Sequence, residues 1–493
     1  MKMRRGHFQN LFNQSIVYGL GRLVGQAVGF FLIPIYTRSL STENYGVFAL
    51  LTMAVSVLSI VLGMGVGSAF FKYYFSSPDE GTKDSVTDSA FFLLVVVSLA
   101  AVLVLLPLSS QLSQLLFGST NFAQHLKYLA WTALLNTLSI IPLSLLRAKE
   151  QSLRYSAITL TKFIFMLGLN IFFVVVLRKG VIGILQANLL SAAAMFLILV
   201  VPLCRSWRAR LSWVHIKALL AFGAPLMPTQ IASWVLTLSD RYLLKYLTNL
   251  EEVGVYTLGY NLGFAVNLLI IWPFSVAWGP FMYKVAGEQN ASQVYARTLT
   301  YIGLASGSIS LILSLFAPVL VSLVSPSAYF NAHKIIPLVA FSYAFYGMYF
   351  VFTAGLNITK RTYYFPFIVG FSAAMNIILN LIFIPYYGMM AAAWSTFVSY
   401  LVLAFLTYAC SQKFFRVPYE YTRLAKLVMA LLLVLVIGQV TKNSAGFLGF
   451  LLRTILFLMF PILLYILRFF RQEEIAKIST LLGLRSATQD MVG

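Results

Sequence analysis

The stretch from Leu11 to Gly46 reads LFNQSIVYGLGRLVGQAVGFFLIPIYTRSLSTENYG, and it places one arginine inside an apolar run long enough to cross a bilayer. Counted from Leu11, Arg22 lies about 16 Å along a helix, close to the half-thickness of a hydrocarbon core. Polar side chains recur every four residues and share one helix face: Gln14, Tyr18, Arg22 and Gln26. This pattern favours a helix that lines a polar cavity, and the alternative is an arginine paired for structure alone.

The composition predicts a polytopic membrane protein. The 493 residues are 60% hydrophobic and only 10% charged, whereas soluble domains are about half apolar and a quarter charged. The net charge of +21 comes from basic residues in short segments between apolar runs, which is the pattern of membrane insertion and excludes nucleic acid as the expected partner. Cys204 and Cys410 are expected to be free thiols.

Fourteen apolar runs are long enough to be transmembrane helices. They are numbered here in chain order: Leu11–Tyr36, Tyr45–Phe70, Ser89–Leu108, Leu126–Leu146, Tyr155–Leu177, Val181–Leu203, Ala218–Leu238, Val255–Trp278, Thr298–Leu323, Ile335–Ala354, Tyr363–Ile384, Tyr387–Ala409, Leu424–Val440 and Phe447–Leu467. Pro225, Pro228 and Pro273 are expected to interrupt the seventh and eighth helices.

The distribution of basic residues predicts the orientation. Of the 35 lysines and arginines, 24 fall on the side of the N-terminus and 8 on the opposite side, and the latter 8 include Arg241. A three-to-one excess places both termini in the cytoplasm. Basic-rich and basic-poor loops alternate along the chain, and an even number of helices is needed to keep this alternation.

An internal repeat of about 208 residues divides the chain. The segment Leu40–Leu50 reappears as Leu247–Leu258 with one inserted residue, and Asn170 with the residues after it reappears at Asn380. Six spans separate the copies, so the two copies run the same way through the membrane. The predicted domains are an N-terminal lobe of helices 1–6 (1–210), a C-terminal lobe of helices 7–12 (211–412), and helices 13 and 14 with a cytoplasmic tail (413–493).

These motifs resemble the polysaccharide flippases of Wzx type in the multidrug/oligosaccharidyl-lipid/polysaccharide exporter superfamily. The likeness rests on Gly21–Gly25, on Pro34–Gly46, and in the second half on Phe222–Pro225, Ser239–Leu244 and Glu251–Tyr256. The resemblance implies an all-α membrane protein with two six-helix lobes and two added C-terminal helices. It also implies an inner-membrane flippase that moves a polyprenyl-pyrophosphate-linked oligosaccharide, such as an O-antigen unit for lipopolysaccharide, to the outer leaflet by alternating access.

Such a substrate needs a basic cavity, because its diphosphate is anionic and its sugar head cannot cross hydrocarbon. Arg22 is the best diphosphate candidate, with Tyr18 and Gln26 on the same face. Lys72 and Lys284, at the ends of the second and eighth spans, are predicted to form a cytoplasmic entrance, and ordinary anchoring at the membrane surface is their alternative. Lys162, roughly two turns inside the fifth span, is a candidate lining residue within snorkelling reach, and Gln230 is a candidate sugar ligand.

Other functions fit the sequence less well. It has no phosphate-binding glycine loop, no metal-ligand spacing and no long outer loop with carboxylates, so a membrane glycan polymerase or ligase is disfavoured. A multidrug antiporter of the same superfamily would need a membrane-buried carboxylate, and the sequence places no acidic residue in the middle of a span. Asp240 and Arg241, at the outer end of the seventh span, are expected to form an ion pair or to mark a helix end near water. A lipid II flippase of the same superfamily remains an alternative, because an Arg-x-x-Gly spacing occurs there too.

The expected partners are the lipid-linked oligosaccharide, membrane lipids, a glycan polymerase and a chain-length regulator. No cofactor or metal is predicted, and coupling to protons or sodium is left open.

Replacing Arg22 tests the cavity interpretation. Arg22→Ala should leave the protein inserted and folded, because an arginine at the bilayer centre costs about 2.5–3.5 kcal/mol to insert, while the glycan lipid should no longer reach the outer face. Arg22→Lys should keep part of the activity, since a point charge attracts phosphate without forked hydrogen bonding. Surface glycan in cells is the measurement, and normal glycan with Arg22→Gln would contradict a role for the charge.

Overall fold

The computed structural model describes residues 29–206, 210–440 and 446–481, and all regular secondary structure in these ranges is helical. The predicted all-α membrane class is therefore confirmed. Thirteen segments within the described ranges are long and apolar enough to cross a membrane, and they match predicted spans 2 to 14 one for one. Their bounds are Thr42–Ser76, Glu80–Leu105, Thr120–Ala148, Ser152–Val176, Gly180–Leu203, Trp213–Leu247, Leu250–Val285, Ala291–Leu315, Ile336–Ile358, Tyr364–Tyr387, Met389–Phe414, Tyr421–Gln439 and Gly446–Ile466.

The first predicted span is described only from residue 29, and it is helical over 29–39. Its earlier part, with Tyr18, Arg22 and Gln26, lies outside the described residues. The total of fourteen helices and the cytoplasmic position of both termini therefore stay predictions. Shorter helices connect or follow the spans at Ser109–Phe117, Ala317–Val324, Ser327–Lys334 and Gln472–Leu481.

Several spans are interrupted. The second consists of Thr42–Gly63 and Val66–Ser76, joined through Met64 and Gly65 in the left-handed backbone region at φ 44° and 66°. The predicted interruptions at prolines are confirmed: a 3₁₀ turn over Ala224–Leu226 separates Trp213–Gly223 from Met227–Leu247, and a π-helical turn precedes the helix that carries Pro273. Further bounds are Ala123–Leu138, Ile140–Ala148, Ser152–Asn170, Ile171–Val176, Leu250–Gly263, Asn267–Ile271 and Trp272–Val285.

The chain forms two compact units. The first contains the described residues up to Asn261 together with Ser322–Ile335 and Tyr363–Ser399, and the second contains Leu262–Val321, Ile336–Thr362 and the chain from Tyr400 onwards. In the first unit the seventh span packs against the second and the eleventh. In the second unit the ninth span packs against the tenth and the thirteenth. The lobe boundaries near residues 210 and 412 stay a prediction.

The two last spans are held to the ninth by an apolar core. Leu311 of the ninth span, Leu431 of the thirteenth and Leu456 of the fourteenth belong to one buried cluster. Burying aliphatic side chains of this size stabilises a contact by about 1.5–3 kcal/mol each in water, although between helices in lipid the gain comes mainly from close packing.

An ionic cluster lies next to this apolar core, at the start of the thirteenth span and after the end of the fourteenth. Arg423 contacts Glu420 at 2.9 Å and Glu474 at 2.8 Å, and Arg471 also pairs with Glu420. Partial burial opposes ionisation of Glu420, but a hydrogen bond from Thr300 and the charges of both arginines outweigh it, so its pKa is lowered. The cluster ties the helix Gln472–Leu481 to the start of the thirteenth span.

The second and eighth spans cross at two glycines. A Cβ atom on Gly46 would overlap the carbonyl oxygen of Leu250, and one on Gly254 would overlap that of Thr42. Each would also lie 3.2 Å from the backbone nitrogen of the other glycine. Gly46 and Gly254 occupy matching places in the predicted repeat, so equivalent positions of the two copies meet at this crossing.

Substitution at this crossing should destabilise the protein. Gly46→Ala and Gly254→Ala must push two backbones apart, and we expect a loss of about 1–3 kcal/mol, typical of overpacking. Gly370→Ala is the matched control, because a Cβ at this helical glycine meets nothing within 4 Å, and alanine there should be neutral or stabilising. Thermal unfolding in detergent measures the difference, and equal stability of Gly46→Ala and Gly370→Ala would contradict the tight crossing.

Candidate functional site

Lys162 is a cation deep inside the fifth span. The helix begins at Ser152, which places Lys162 about 15 Å from its start and near the middle of the apolar segment Ser152–Val176. Its ammonium group donates a hydrogen bond to Oδ1 of Asn136 on the fourth span at 3.1 Å. No carboxylate of the described ranges pairs with it.

Lys72 lies where an entrance residue was predicted, in the helix Val66–Ser76 that ends the second span. Its Nζ atom is 4.1 Å from the ring centroid of Phe222 and 5.3 Å from that of Tyr73. Lys72 is exposed, and within the described chain it forms no ion pair. An exposed cation packed on aromatic faces keeps its charge available for an anion.

Arg147 is a second cation that contacts the end of the second span, and it was not among the residues predicted from the sequence. Its guanidinium lies 4.9 Å from the ring of Phe71, the residue next to Lys72, and 5.9 Å from that of Tyr155. The ends of the second, fourth and fifth spans thus place two cations against aromatic rings, Lys72 on Phe222 and Arg147 on Phe71. Basic residues are common at the ends of apolar spans, so the sequence alone did not distinguish Arg147 from the others.

The remaining predicted residues are placed separately. Gln230 is exposed near the start of Met227–Leu247, and no side-chain hydrogen bond to the described residues is formed by its amide. Lys284 is exposed at the end of Trp272–Val285 in the second unit, whereas Lys72 is in the first. Their role as ligands stays a prediction, as does that of Tyr18, Arg22 and Gln26.

A buried carboxylate lies near the end of the seventh span, where the sequence analysis placed Asp240. Asp240 is 2% exposed and seven residues before the helix ends at Leu247. Its Oδ1 atom is 3.3 Å from Nη1 of Arg241. Its Oδ2 atom accepts hydrogen bonds from the hydroxyl groups of Tyr256 and Thr396, the latter at 3.4 Å. Asp240 is therefore buried within the protein near the end of this span, and its pairing with Arg241 is one of the two arrangements that the sequence suggested.

Arg241, which the sequence analysis counted on the outer side, is equally buried. It is 2% exposed, its Nη1 atom also donates to the carbonyl of Thr237 at 3.3 Å, and its guanidinium lies 4.1 Å from the ring of Tyr260. The apolar run was ended at Leu238, but Tyr242 to Leu247 continue the helix. That continuation was the sequence signal for a buried Asp–Arg pair.

Buried amides serve contacts between and within helices. The hydroxyl of Tyr36 donates to Oδ1 of Asn170 at 2.8 Å, and Asn380, the repeat equivalent of Asn170, donates to Asn376 at 3.1 Å. All three asparagines are buried. Hydrogen bonds of this kind between and within helices are a common use of amides in lipid.

Comparison with known proteins supports this architecture. A family model described as "Polysaccharide biosynthesis protein" matches residues 35–334, more than half of the chain. The chain belongs to this family. The fold is shared with a "Lipid II flippase MurJ, inward closed conformation", with a TM-score of 0.76 and 16% identity over 91% of this chain and 99% of that chain. It is also shared with an "Inward-facing conformation of a multidrug resistance MATE family transporter of the MOP superfamily", with a TM-score of 0.66 and 16% identity over 87% of this chain and 100% of that one.

A distant relative with a similar sequence is also known. The "Lsg locus putative protein 1" of Haemophilus influenzae is 20% identical over 286 residues, which is 57% of this chain and 68% of that protein. Together with the family match, these similarities confirm the resemblance drawn from the sequence at the level of family and fold.

The Asp240–Arg241 pair yields a double-mutant prediction. Arg241→Met leaves a buried carboxylate without its cation, and we expect a loss of about 3–5 kcal/mol of stability. Adding Asp240→Asn to that variant should recover most of the loss, because no uncompensated charge then remains. Thermal unfolding of both single variants and the double variant measures the coupling, and strictly additive losses would contradict a direct pair.

Proposed function

We propose that this member of the polysaccharide biosynthesis protein family is a flippase. It moves a polyprenyl-pyrophosphate-linked oligosaccharide from the cytoplasmic to the outer leaflet of the inner membrane by alternating access, and it performs no covalent chemistry. The observation that carries the proposal is Lys162, a cation near the middle of the fifth span that is held by an amide and by no carboxylate of the described residues. Intramembrane cations of this kind mark substrate pathways.

The charge of the substrate explains this arrangement. An ammonium group in hydrocarbon is costly, and Asn136 supplies only one neutral acceptor for its three donors. A diphosphate would supply several charged acceptors at once. Lys162 is therefore suited to a group that arrives and leaves, whereas a permanent structural cation would be paired as Arg241 is with Asp240.

The exposed pair of cations formed by Lys72 and Arg147 supports an entrance at the predicted cytoplasmic end. Both lie against aromatic rings, at 4.1 Å from Phe222 and 4.9 Å from Phe71. Cations attract the diphosphate, and aromatic faces are good surfaces for sugar rings. Arg22, Tyr18, Gln26 and Gln230 are proposed to line the path further along, and Lys284 is proposed to attract the same anion at the end of the eighth span.

Asp240 bears on the competing proposal of a cation-driven multidrug antiporter. A buried carboxylate is the feature that such a carrier needs. Here, however, the carboxylate is neutralised by Arg241 and engaged by two hydroxyl groups, so it is not open to an organic cation. An anionic lipid-linked substrate, with partner enzymes that make and polymerise the glycan, fits the described charges better.

Removing the charge of Lys162 tests the proposal. Lys162→Met keeps most of the side-chain volume, and we expect glycan delivery to the outer leaflet to fall about 10- to 100-fold, the effect of losing a hydrogen bond to a charged group. Stability should be unchanged or higher, since no cation has to be desolvated. Lys162→Arg should keep partial delivery.

Lys149→Met is the matched control, because Lys149 is an exposed cation just beyond the fourth span. Surface-exposed glycan per molecule of inserted protein is the readout. Normal delivery by Lys162→Met would contradict the proposed role, whereas equal loss in both variants would point to an effect of net charge on the membrane surface.

A further inference from the structure

The segment Ser322–Ile335, called the strap below, is packed into the first unit although the chain on either side of it belongs to the second. The ninth span precedes it and the tenth span follows it. Its neighbours in space are therefore residues remote in sequence. Any displacement of the ninth and tenth spans must either carry the strap along or break its contacts.

Two hydrogen bonds join the strap to the end of the first helix. The hydroxyl of Thr37 donates to the carbonyl of Val324 at 2.6 Å, and the guanidinium of Arg38 donates to that of Leu323 at 2.9 Å. Both carbonyls belong to the last turn of Ala317–Val324, where acceptors lack a partner inside the helix. A cation at a helix C-terminus is also favoured by the helix dipole.

Tyr329 is the most deeply inserted aromatic side chain of the strap. It is 1% exposed, and its hydroxyl donates to the carbonyl of Leu40 at 3.1 Å. Its ring packs edge-on against Tyr45 with centroids 5.9 Å apart. Tyr45 in turn accepts a hydrogen bond from Asn261 at 3.2 Å, so one tyrosine pair touches the loop after the first helix, the second span and the eighth span.

The strap also follows the backbone of the eighth span closely. A Cβ on Gly259 would come within 2.6 Å of the carbonyl oxygen of Ala332 and 2.7 Å of Cβ of Ile335. The side chains of Leu323 and Phe330, by contrast, are 67% and 44% exposed. Backbone carbonyls, the side chain of Tyr329 and the contact with Gly259 are thus among the attachments of the strap, while Leu323 and Phe330 are exposed.

We propose that the strap is the outer gate of the transporter, with Tyr329 as the residue that locks it. It joins the outer ends of the first, second and eighth spans in the state described here, and it detaches when the substrate is released to the outer leaflet. The gating role rests on the proposed function and on the predicted orientation, whereas attachment of the strap can be measured without any substrate.

Thiol labelling tests attachment. In a chain carrying Cys204→Ser and Cys410→Ser, Ser325→Cys places a thiol where the native side chain is 7% exposed, and Ser327→Cys places one at an exposed position. With a membrane-impermeant maleimide added outside right-side-out vesicles, we expect the thiol at 325 to react at least about tenfold more slowly than that at 327, because reaction requires the strap to open. Equal rates, or no labelling of either from outside, would overturn the proposal.

The tyrosine is tested in the same assay. Tyr329→Phe removes only the hydrogen bond to Leu40 and should raise the labelling rate at 325 about fivefold, the effect of one hydrogen bond on an equilibrium. Tyr295→Phe is the matched control, since that buried hydroxyl also donates to a backbone carbonyl, at 2.7 Å from Met282. An unchanged rate in Tyr329→Phe, or the same increase in Tyr295→Phe, would show that Tyr329 does not lock the strap.

Cross-linking tests gating. Thiols introduced by Thr37→Cys and Val324→Cys, joined by a short bifunctional reagent that reductant can cleave, should abolish glycan delivery, and cleavage should restore it. The two single-cysteine chains treated in the same way should deliver normally. Normal delivery by the cross-linked chain would overturn the gate. If the proposed function itself is wrong, the labelling results are unaffected, so the two claims fail separately.

Discussion

The backbone contact between Gly46 and Gly254 is the constraint on which much of the described structure depends. No other residue type fits there, because a side chain on either glycine would overlap a carbonyl oxygen of the facing helix. Where two backbones approach this closely in lipid, dispersion contacts replace the hydrophobic effect as the source of stability. The crossing fixes the start of the second span against the start of the eighth, and Tyr45, next to Gly46, is thereby positioned to receive Tyr329.

Two cations inside the spans, Arg241 and Lys162, differ in their partners. Arg241 has a carboxylate beside it and an aromatic ring 4.1 Å from its guanidinium, so its charge is compensated within the fold. The ammonium group of Lys162 instead donates a hydrogen bond to the neutral amide of Asn136. Removal from water is unfavourable for both cations. A cation with only a neutral partner, as at Lys162, is therefore expected where a charged substrate binds. The lack of a carboxylate partner for Lys162 among the described residues, rather than the presence of a charge, is what favours a role in substrate binding.

Much of the architecture could be predicted because the bilayer imposes it. Thirteen of the fourteen apolar runs correspond to helices, and Pro225 and Pro273 interrupt theirs as expected. An ion pair of Asp240 with Arg241 was one of the two sequence-based interpretations, but the burial of the pair could not be foreseen, because the hydropathy pattern ended the span at Leu238 whereas the helix continues to Leu247. The partners of Lys72 could not be foreseen either, since Phe222 is remote in sequence and reaches it only through folding. Arg22, the residue the sequence emphasised most, lies outside the described residues, and its role is still a prediction.

Transport by the isolated protein tests the central claim most directly. In vesicles containing only this chain and lipid, a fluorescent polyprenyl-pyrophosphate oligosaccharide placed in one leaflet should become accessible to an enzyme or quencher in the other, faster than in vesicles without protein. Lipid II in parallel vesicles distinguishes the nearest alternative, and we predict faster movement of the oligosaccharide. Transfer of lipid II alone, or of neither lipid by protein that is folded and inserted, would contradict the account.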